Sequence, residues 1–237
     1  HQNGSDFWII SRLENSNTYH SFLLTSSSLN TNPVVTSIGA YQSGTGGYLK
    51  ASKDGSRLAA VFCWNNQPIE LYDFDNSTGV LSNPVSINTN QYEYGVEFSP
   101  SADILYTGSE GTGGIYQYNL LAGSSLDIAN SEILLGYTSG HALQTGPDGR
   151  IYVASWSSGY LSTIDNPDVL GVGCSFVLNN VPAGGTCYAG LPTFFSSIFN
   201  SPPSGCDSVA TAIITINHST SSTDTQVHCD SYTWLDG

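Results

Sequence analysis

Aromatic and amide side chains recur in the loops of this sequence, and these residue types are suited to binding a ligand. The candidates are Tyr41, Trp64, Asn65, Tyr92, Tyr94, His141, Trp156 and Tyr188. Aromatic rings stack on sugar rings or apolar groups, while amides supply oriented hydrogen bonds. The set therefore predicts a surface for glycans or peptides. The alternative is that several of these rings only pack between structural repeats.

A second set of polar side chains occupies one equivalent position in three successive repeats. Its members are Lys50, Glu97 and Gln144, each 47 residues from the next. Opposite charges at matching positions of neighbouring repeats predict that Lys50 pairs with Glu97 along a central channel. We favour a structural ion pair over a role in orienting a substrate.

Acid–base catalysis has one candidate side chain near this channel, His141, because imidazole titrates close to neutral pH. The sequence supplies no matching nucleophile and orienting group, and no Gly-x-Ser-x-Gly elbow occurs. The run 73–79 alternates oxygen ligands but lacks the distant glutamate of a calcium loop. We therefore assign no catalytic residue, no cofactor and no metal site.

A repeat must position these candidates. Ser52, Ser99 and Gly146 hold the same place in three copies spaced 47 residues apart, and a weaker copy begins near Asn3. A period in the forties built from short alternating strands is typical of β-propeller blades. The sequence therefore predicts an all-β fold, a β-propeller with four recognisable blades of about 47 residues each.

Each copy is predicted to contain four antiparallel strands. In the second copy they are residues 48–52, 57–63, 69–75 and 84–87, and the third strands of the next copies are 115–118 and 160–164. Asp54-Gly55 predicts a tight hairpin with positive φ. The third copy has Ser101-Ala102 there instead, so we expect a different turn.

The two ends of the repeat array leave the closure of the propeller open. The first copy lacks its first strand, since residues 7–11 already match a second strand, while residues 191–195 match a first strand without a blade. Either 191–195 completes a ring of four blades, or further blades precede His1 in a larger ring. The chain contains no methionine, and we expect it to be a segment of a longer, processed protein.

The charge balance excludes some partners. The chain has 19 acidic and 5 basic side chains, a net charge of −14, so nucleic acid and anionic membranes would be repelled. No apolar run reaches the roughly 18 residues of a membrane-spanning helix. We therefore expect no nucleic-acid partner and no membrane insertion.

The cysteines divide into two pairs and one residue left over. The predicted disulfides are Cys174–Cys187 and Cys206–Cys229, and Cys63 is expected to be a buried thiol. Disulfides indicate an oxidising, exported location. By composition, residues 1–200 form the propeller, 201–205 a linker, and 206–237 a fragment of a small disulfide-tied β module.

Several of these runs resemble a known group of proteins. GYLKASKDGS at 47–56, ELYDFDNSTG at 70–79 and GLPTFF at 190–195 resemble the propeller region of large surface proteins of gliding and related Bacteroidetes. CDSYTWLDG at 229–237 resembles the PKD-like or immunoglobulin-like repeat that follows it. The resemblance implies type IX secretion, a link to gliding motility and a larger, seven-bladed type of ring. It brings no catalytic residues.

The leading hypothesis is a non-enzymatic secreted or cell-surface protein that uses a propeller loop face for adhesion to glycan or protein ligands. One alternative is a lactonase-like or lyase-like propeller enzyme with a channel-mouth site built from Glu93, Glu97 or His141. Another is a structural subunit of an extracellular assembly that associates with itself. A bound divalent ion would favour the enzyme, and an aromatic shelf beside the channel would favour binding.

Overall fold

A computed structural model describes residues 1–44, 46–63, 66–89, 91–138 and 140–192, without the side chains of 140 and 141. These residues belong to the compact unit His1–Ser196. The predicted linker 201–205 and module 206–237, with Cys206 and Cys229, lie outside the described residues. Within the described ranges, none of the helices has the length and apolar character needed to cross a membrane.

The described residues form four antiparallel sheets in chain order. The first contains β1 (Phe7–Arg12), β2 (Ser16–Leu24) and β3 (Val34–Gln42). The second contains β4 (Gly47–Ala51), β5 (Arg57–Phe62), β6 (Ile69–Asp75) and β7 (Val80–Ile87). The third contains β8 (Glu93–Phe98), β9 (Ile104–Ser109), β10 (Gly114–Asn119) and β11 (Ile133–Tyr137). The fourth contains β12 (Gly140–Thr145), β13 (Ile151–Ser155), β14 (Tyr160–Ile164) and β15 (Phe176–Pro182).

Two short helical segments interrupt this pattern. The helix α1 (Ser125–Asn130) precedes β11, and Ser124 caps it by accepting the Asp127 backbone N–H. A 3₁₀ turn, Gly171–Cys174, precedes β15. Everything else that is regular in the described residues is β structure.

The core lies between successive sheets. Three clusters of buried side chains join the first sheet to the second, the second to the third and the third to the fourth. Their large, fully buried members include Tyr19, Tyr72, Ile69, Leu105, Tyr106 and Leu143. Among the described residues, no such cluster joins the first sheet to the fourth. Sheets that bury their faces on one another in chain order give a propeller-like fold.

The predicted strands agree closely with this arrangement. The predictions for 69–75 and 160–164 match β6 and β14, whereas β7 begins four residues earlier than predicted, at Val80. The prediction that residues 7–11 form a second strand is confirmed: among the described residues the first sheet has three strands in the order β1, β2, β3. Of the strand predicted over 191–195, residues 193–195 lie outside the described residues, and residues 191–192 are not in a strand.

The prediction of a different turn at Ser101-Ala102 is wrong. Ala102 has φ +62° and Gly55 has φ +69°, and each donates its backbone N–H to the carbonyl three residues earlier. A left-handed alanine costs about 1–2 kcal/mol. Two contacts hold it in place: Arg57 donates to the Ala102 carbonyl, and the carboxylate of Asp168 accepts the Ser101 N–H. Tertiary contacts thus reproduce a turn that glycine makes locally.

The predicted Cys174–Cys187 disulfide is corrected by the structure, in which both thiols are free. Cys174 lies just before β15, and Cys187 lies beyond its other end, where its N–H donates to the Ser158 carbonyl. A strand of that length spans roughly 20 Å, whereas a disulfide needs Cα atoms within about 7 Å. The prediction of a buried, free Cys63 is confirmed, and burial raises its pKa to about 11.

Candidate functional site

The first strands of the second, third and fourth sheets, β4, β8 and β12, lie next to one another, and we call them the inner strands. Four aromatic side chains lie near one end of these strands, and we call them the aromatic row: Tyr94, Tyr48, Tyr188 and Trp156. The rings of Tyr94 and Tyr48 pack edge to face with centroids 5.5 Å apart. The rings of Tyr188 and Trp156 do the same at 5.2 Å. The Tyr48 hydroxyl donates to the carbonyl of Ala189, next to Tyr188, at 3.5 Å. The row is therefore continuous across three sheets.

Strand positions explain why these residues meet. Tyr48 and Tyr94 are the second residues of the inner strands β4 and β8. Trp156 directly follows β13, whose last residue, Ser155, pairs with the first residue of the inner strand β12. The register of β8 shifts between Glu93 and Gly95, and such a bulge re-aims the neighbouring side chain. The starts of three inner strands thus form one mouth.

The row divides into an exposed half and a partly buried half. Trp156 is 52% exposed and Tyr188 57%, whereas Tyr48 packs against the cluster between the second and third sheets. Burial raises the pKa of Tyr48 and of Tyr94 above the usual phenol value. Both hydroxyls therefore keep their protons near neutral pH. The exposed pair, Trp156 and Tyr188, lies beside a pair that is held by packing, Tyr48 and Tyr94.

The polar row beneath the mouth is formed as predicted. The Lys50 ammonium lies 3.1 Å from a Glu97 carboxylate oxygen and donates to the Gln144 amide oxygen at 2.5 Å. The Thr145 backbone N–H also donates to Glu97, at 3.0 Å. Only 11% of the Lys50 side chain and 7% of the Glu97 side chain are exposed. The pairing is therefore confirmed, and its contacts fasten three successive inner strands to one another.

A second buried carboxyl group, that of Glu93, lies at the start of β8 in the third sheet. The Tyr118 hydroxyl is 3.0 Å from Glu93 Oε1 and 2.7 Å from Glu132 Oε2. One hydroxyl has one proton to donate, so both contacts can be full hydrogen bonds when one of the two carboxyl groups is protonated. Burial raises the pKa of Glu93 to about 7, and Glu93 is buried whereas Glu132 is exposed, so Glu93 is the carboxyl group whose protonated form this site favours.

The other predicted site residues have separate positions. Tyr41 is exposed at the end of β3, the outermost strand of the first sheet, apart from the aromatic row. The Tyr92 ring packs over Gly111, where a Cβ would come within 2.8 Å of the ring, so it wedges a loop in place. Trp64 and Asn65 lie outside the described residues, and His141 is described only as part of the β12 backbone.

Tyr48 is the member of the row that the sequence argument missed. It stands two residues before Lys50 on the same strand, so both side chains project from one face of the sheet. A shift of 47 residues places it opposite Gly95 rather than Tyr94. The bulge in β8 accounts for this offset of one residue. A repeat alignment that permits one extra residue at the start of a strand would match Tyr48 with Tyr94.

The carboxyl groups that the enzyme alternative would use are buried. Glu93 and Glu97, which the enzyme alternative would use, are 1% and 5% exposed, and each is bonded to other groups of the protein. No group of three or more His, Cys, Asp or Glu side chains that could hold a metal ion occurs in the described part of the chain. What faces outward at the mouth is aromatic surface.

No protein-family model matches the chain, and no curated protein matches it. Among solved structures it is similar to a functionally unknown protein from Desulfotomaculum acetoxidans, at 17% identity and a TM-score of 0.48, covering 75% of this chain and 54% of that one. It is also similar to a 6-phosphogluconolactonase candidate from Bacteroides uniformis, at 15% identity and a TM-score of 0.48, covering 74% and 53%. The chain spans about half the length of these two proteins.

Proposed function

We propose that this protein is a non-enzymatic binding protein whose four sheets are blades of a propeller, and whose aromatic row receives a glycan or protein ligand. The observation that carries the proposal is the edge-to-face pair of Trp156 and Tyr188, both of which are more than half exposed. Large rings held at defined angles in solvent supply stacking surface at little cost in conformational entropy.

The chemistry of the mouth indicates the class of ligand. The rings stand above a Lys50–Glu97 pair that is neutralised internally, so the mouth offers stacking and neutral hydrogen bonds. Sugars and extended peptides match that surface, whereas polyanions meet a chain of net charge −14. One such site binds weakly, and we propose that adhesion at a cell surface results from many copies acting together.

Export belongs to the same proposal. Its support is the sequence resemblance of residues 47–56, 70–79 and 190–195 to type IX-secreted surface proteins. A surface protein that attaches cells to a matrix needs a ligand-binding face and no catalytic centre.

Glycan and peptide arrays test the proposal directly. The protein is applied as wild type and as Trp156→Ala, and the matched control is Tyr137→Ala, which removes a ring that is 64% exposed on the outer strand β11. Loss of a central aromatic contact commonly costs 1–2 kcal/mol or more, so array signals should fall about tenfold in Trp156→Ala alone. Equal signals from all three proteins would overturn the proposal.

A further inference from the structure

A cleft lies between the second sheet and the third, at the end of the second sheet that is farther from the aromatic row. Its volume is about 290 Å³, near the lower end of the roughly 300–1,000 Å³ that is typical of ligand pockets. Arg57 lines the cleft and begins β5, whereas Val61, the strand partner of Tyr48, lies near the other end of β5. The floor is apolar and belongs to the core between the two sheets: Leu71, Val85, Leu120 and Ile128. The cleft is therefore a separate site of small-molecule size.

The walls of the cleft carry one positive and one negative side chain, Arg57 and Asp73. The two residues lie directly opposite each other on β5 and β6, so they project from the same face of the second sheet. The Arg57 guanidinium donates to the Ala102 carbonyl at 3.0 Å. The Asp73 carboxylate accepts from the Asn83 amide at 2.7 Å. In the described part of the chain, neither side chain takes part in an ion pair, so both charges remain available to a ligand.

An irregularity of the second sheet holds the Asp73 carboxylate in place. The register between β6 and β7 shifts between Leu71 and Asp73, and a bulge of this kind re-aims the neighbouring side chains. Asn83 on β7 has a left-handed φ of +48°, which few residues other than glycine adopt and which asparagine tolerates. Strained conformations of this kind cluster at ligand-binding sites. Here the bulge and Asn83 together fix a carboxylate at the edge of the cleft.

The two charges select the class of ligand. A simple anion would be repelled by the Asp73 carboxylate, a simple cation would be repelled by the Arg57 guanidinium, and a neutral sugar would leave both groups without a counter-charge. A zwitterion satisfies both groups at once. A guanidinium binds a carboxylate through two parallel N–H bonds, and the contact with Ala102 uses only one of the five N–H donors of Arg57.

We propose that this cleft binds a free α-amino acid with an apolar side chain. The ligand carboxylate binds Arg57, the ligand ammonium group binds Asp73, and the ligand side chain lies on the apolar floor between the two sheets. The small volume of the cleft limits the ligand to about the size of one amino acid. The site is separate from the aromatic row, so this inference goes beyond the function proposed above and does not depend on it.

Calorimetric titration of three related compounds into the full chain tests this inference. L-Leucine carries both charges, isocaproate lacks the ammonium group, and isoamylamine lacks the carboxylate. Leucine should bind, and each of the other two should bind at least about tenfold more weakly, because each loses one charge-assisted contact. Trp156→Ala should bind leucine as the wild type does, which separates this site from the aromatic row. Absence of leucine binding, or equal affinity for leucine and isocaproate, would overturn the proposal.

Two variants that each remove one charge identify the groups that bind. Asp73→Asn should weaken leucine binding about tenfold and bind isocaproate no more weakly than the wild type; its fold is preserved because the position is exposed and the amide oxygen still accepts from Asn83. Arg57→Gln should weaken the binding of both compounds, with circular dichroism as the check on folding. The matched control, Asp75→Asn, removes an exposed carboxylate from the same strand outside the cleft and should bind leucine as the wild type does. Leucine binding that is unchanged in both Asp73→Asn and Arg57→Gln, or glucose binding that both variants abolish, would show that the cleft does not recognise an amino acid.

Discussion

The Lys50 ammonium meets the Glu97 carboxylate at 3.1 Å, although the two residues stand 47 positions apart in the chain. They occupy the inner strands of neighbouring sheets, so residues that are one repeat apart in the sequence lie on adjacent sheets in the structure. Burial raises the pKa of Glu97, while the Lys50 charge and two backbone N–H groups oppose that rise. The ion pair joins two neighbouring sheets and lies below the aromatic row.

Lys50→Met should be strongly destabilising because it leaves the Glu97 carboxylate buried without its cation. Removing one partner of a buried pair costs about 3–5 kcal/mol. Urea unfolding of the variant should show this loss, and adding Glu97→Gln to Lys50→Met should recover part of it. Lys53→Met removes an exposed lysine nearby and should cost less than about 1 kcal/mol. A Lys50→Met protein as stable as the control would contradict the structural role of the pair.

Stability should fall as the pH rises from about 5 to 8. The pKa of Glu93 is raised from 4.5 to about 7, so the folded state holds a proton that the unfolded chain releases near pH 4.5. The contribution of the protonated Glu93 to the free energy of unfolding is complete below pH 4.5 and is lost as the pH rises past 7. Its size is about 3 kcal/mol. The free energy of unfolding, measured at pH 5 and pH 8, checks the sign.

Glu93→Gln isolates this effect, because its amide N–H can donate to the Tyr118 hydroxyl in place of the protonated carboxyl group, and the amide cannot ionise. The variant should lose most of the decline between pH 5 and pH 8, while Glu14→Gln, a change at an exposed position, should behave as wild type. If Glu93→Gln follows the wild-type pH dependence, the buried proton is assigned to the wrong group.

Two glycine substitutions separate backbone strain from steric collision. Gly149 has φ +80° with open space around a built Cβ, so Gly149→Ala should cost about 1–2 kcal/mol of strain alone. At Gly47, which also has a positive φ of +134°, a Cβ would in addition collide with the Val61 carbonyl oxygen across the β4–β5 pair. Gly47→Ala should therefore cost several kcal/mol or prevent folding. Thermal melts that rank the two variants in the opposite order would argue against the β4–β5 pairing.

The thiols should react in a defined order. Cys63 and Cys174 are buried, and burial raises the pKa of each, so both should resist alkylation in the native protein. Cys187 is partly exposed and should be labelled first. Labelling is followed by mass spectrometry in a Cys206→Ser, Cys229→Ser background. Detection of a Cys174–Cys187 bond there would restore the predicted disulfide.

The repeat in the sequence is sufficient to predict the features that depend on equivalent positions of adjacent sheets. The 47-residue spacing located the strand set of the second sheet and the Lys50–Glu97 pair, because equivalent positions of adjacent sheets meet in space. The assignment of residues 7–11 to a second strand followed from the same count. Trp156 and Tyr188 were found because loops at one end of successive sheets gather there.

Three features depend on contacts or on backbone geometry that the sequence pattern does not contain. Ala102 adopts the conformation of glycine because Arg57 holds its carbonyl, and the sequence of the turn alone contains no sign of that contact. The spacing of Cys174 and Cys187 suggested a local pair, yet β15 separates them along its whole length. Tyr48 was overlooked because a bulge in β8 shifts the repeat by one residue.

Calorimetric titration of the strongest array ligand into four proteins measures whether the Trp156–Tyr188 pair is the ligand-binding surface. Wild type and Tyr137→Ala should bind equally, Trp156→Ala and Tyr188→Ala should each lose about tenfold in affinity, and the double variant should lose less than the product, because the two rings act as one packed unit. Unchanged affinity in both single variants would show that the ligand binds elsewhere and would contradict the role proposed for the aromatic row.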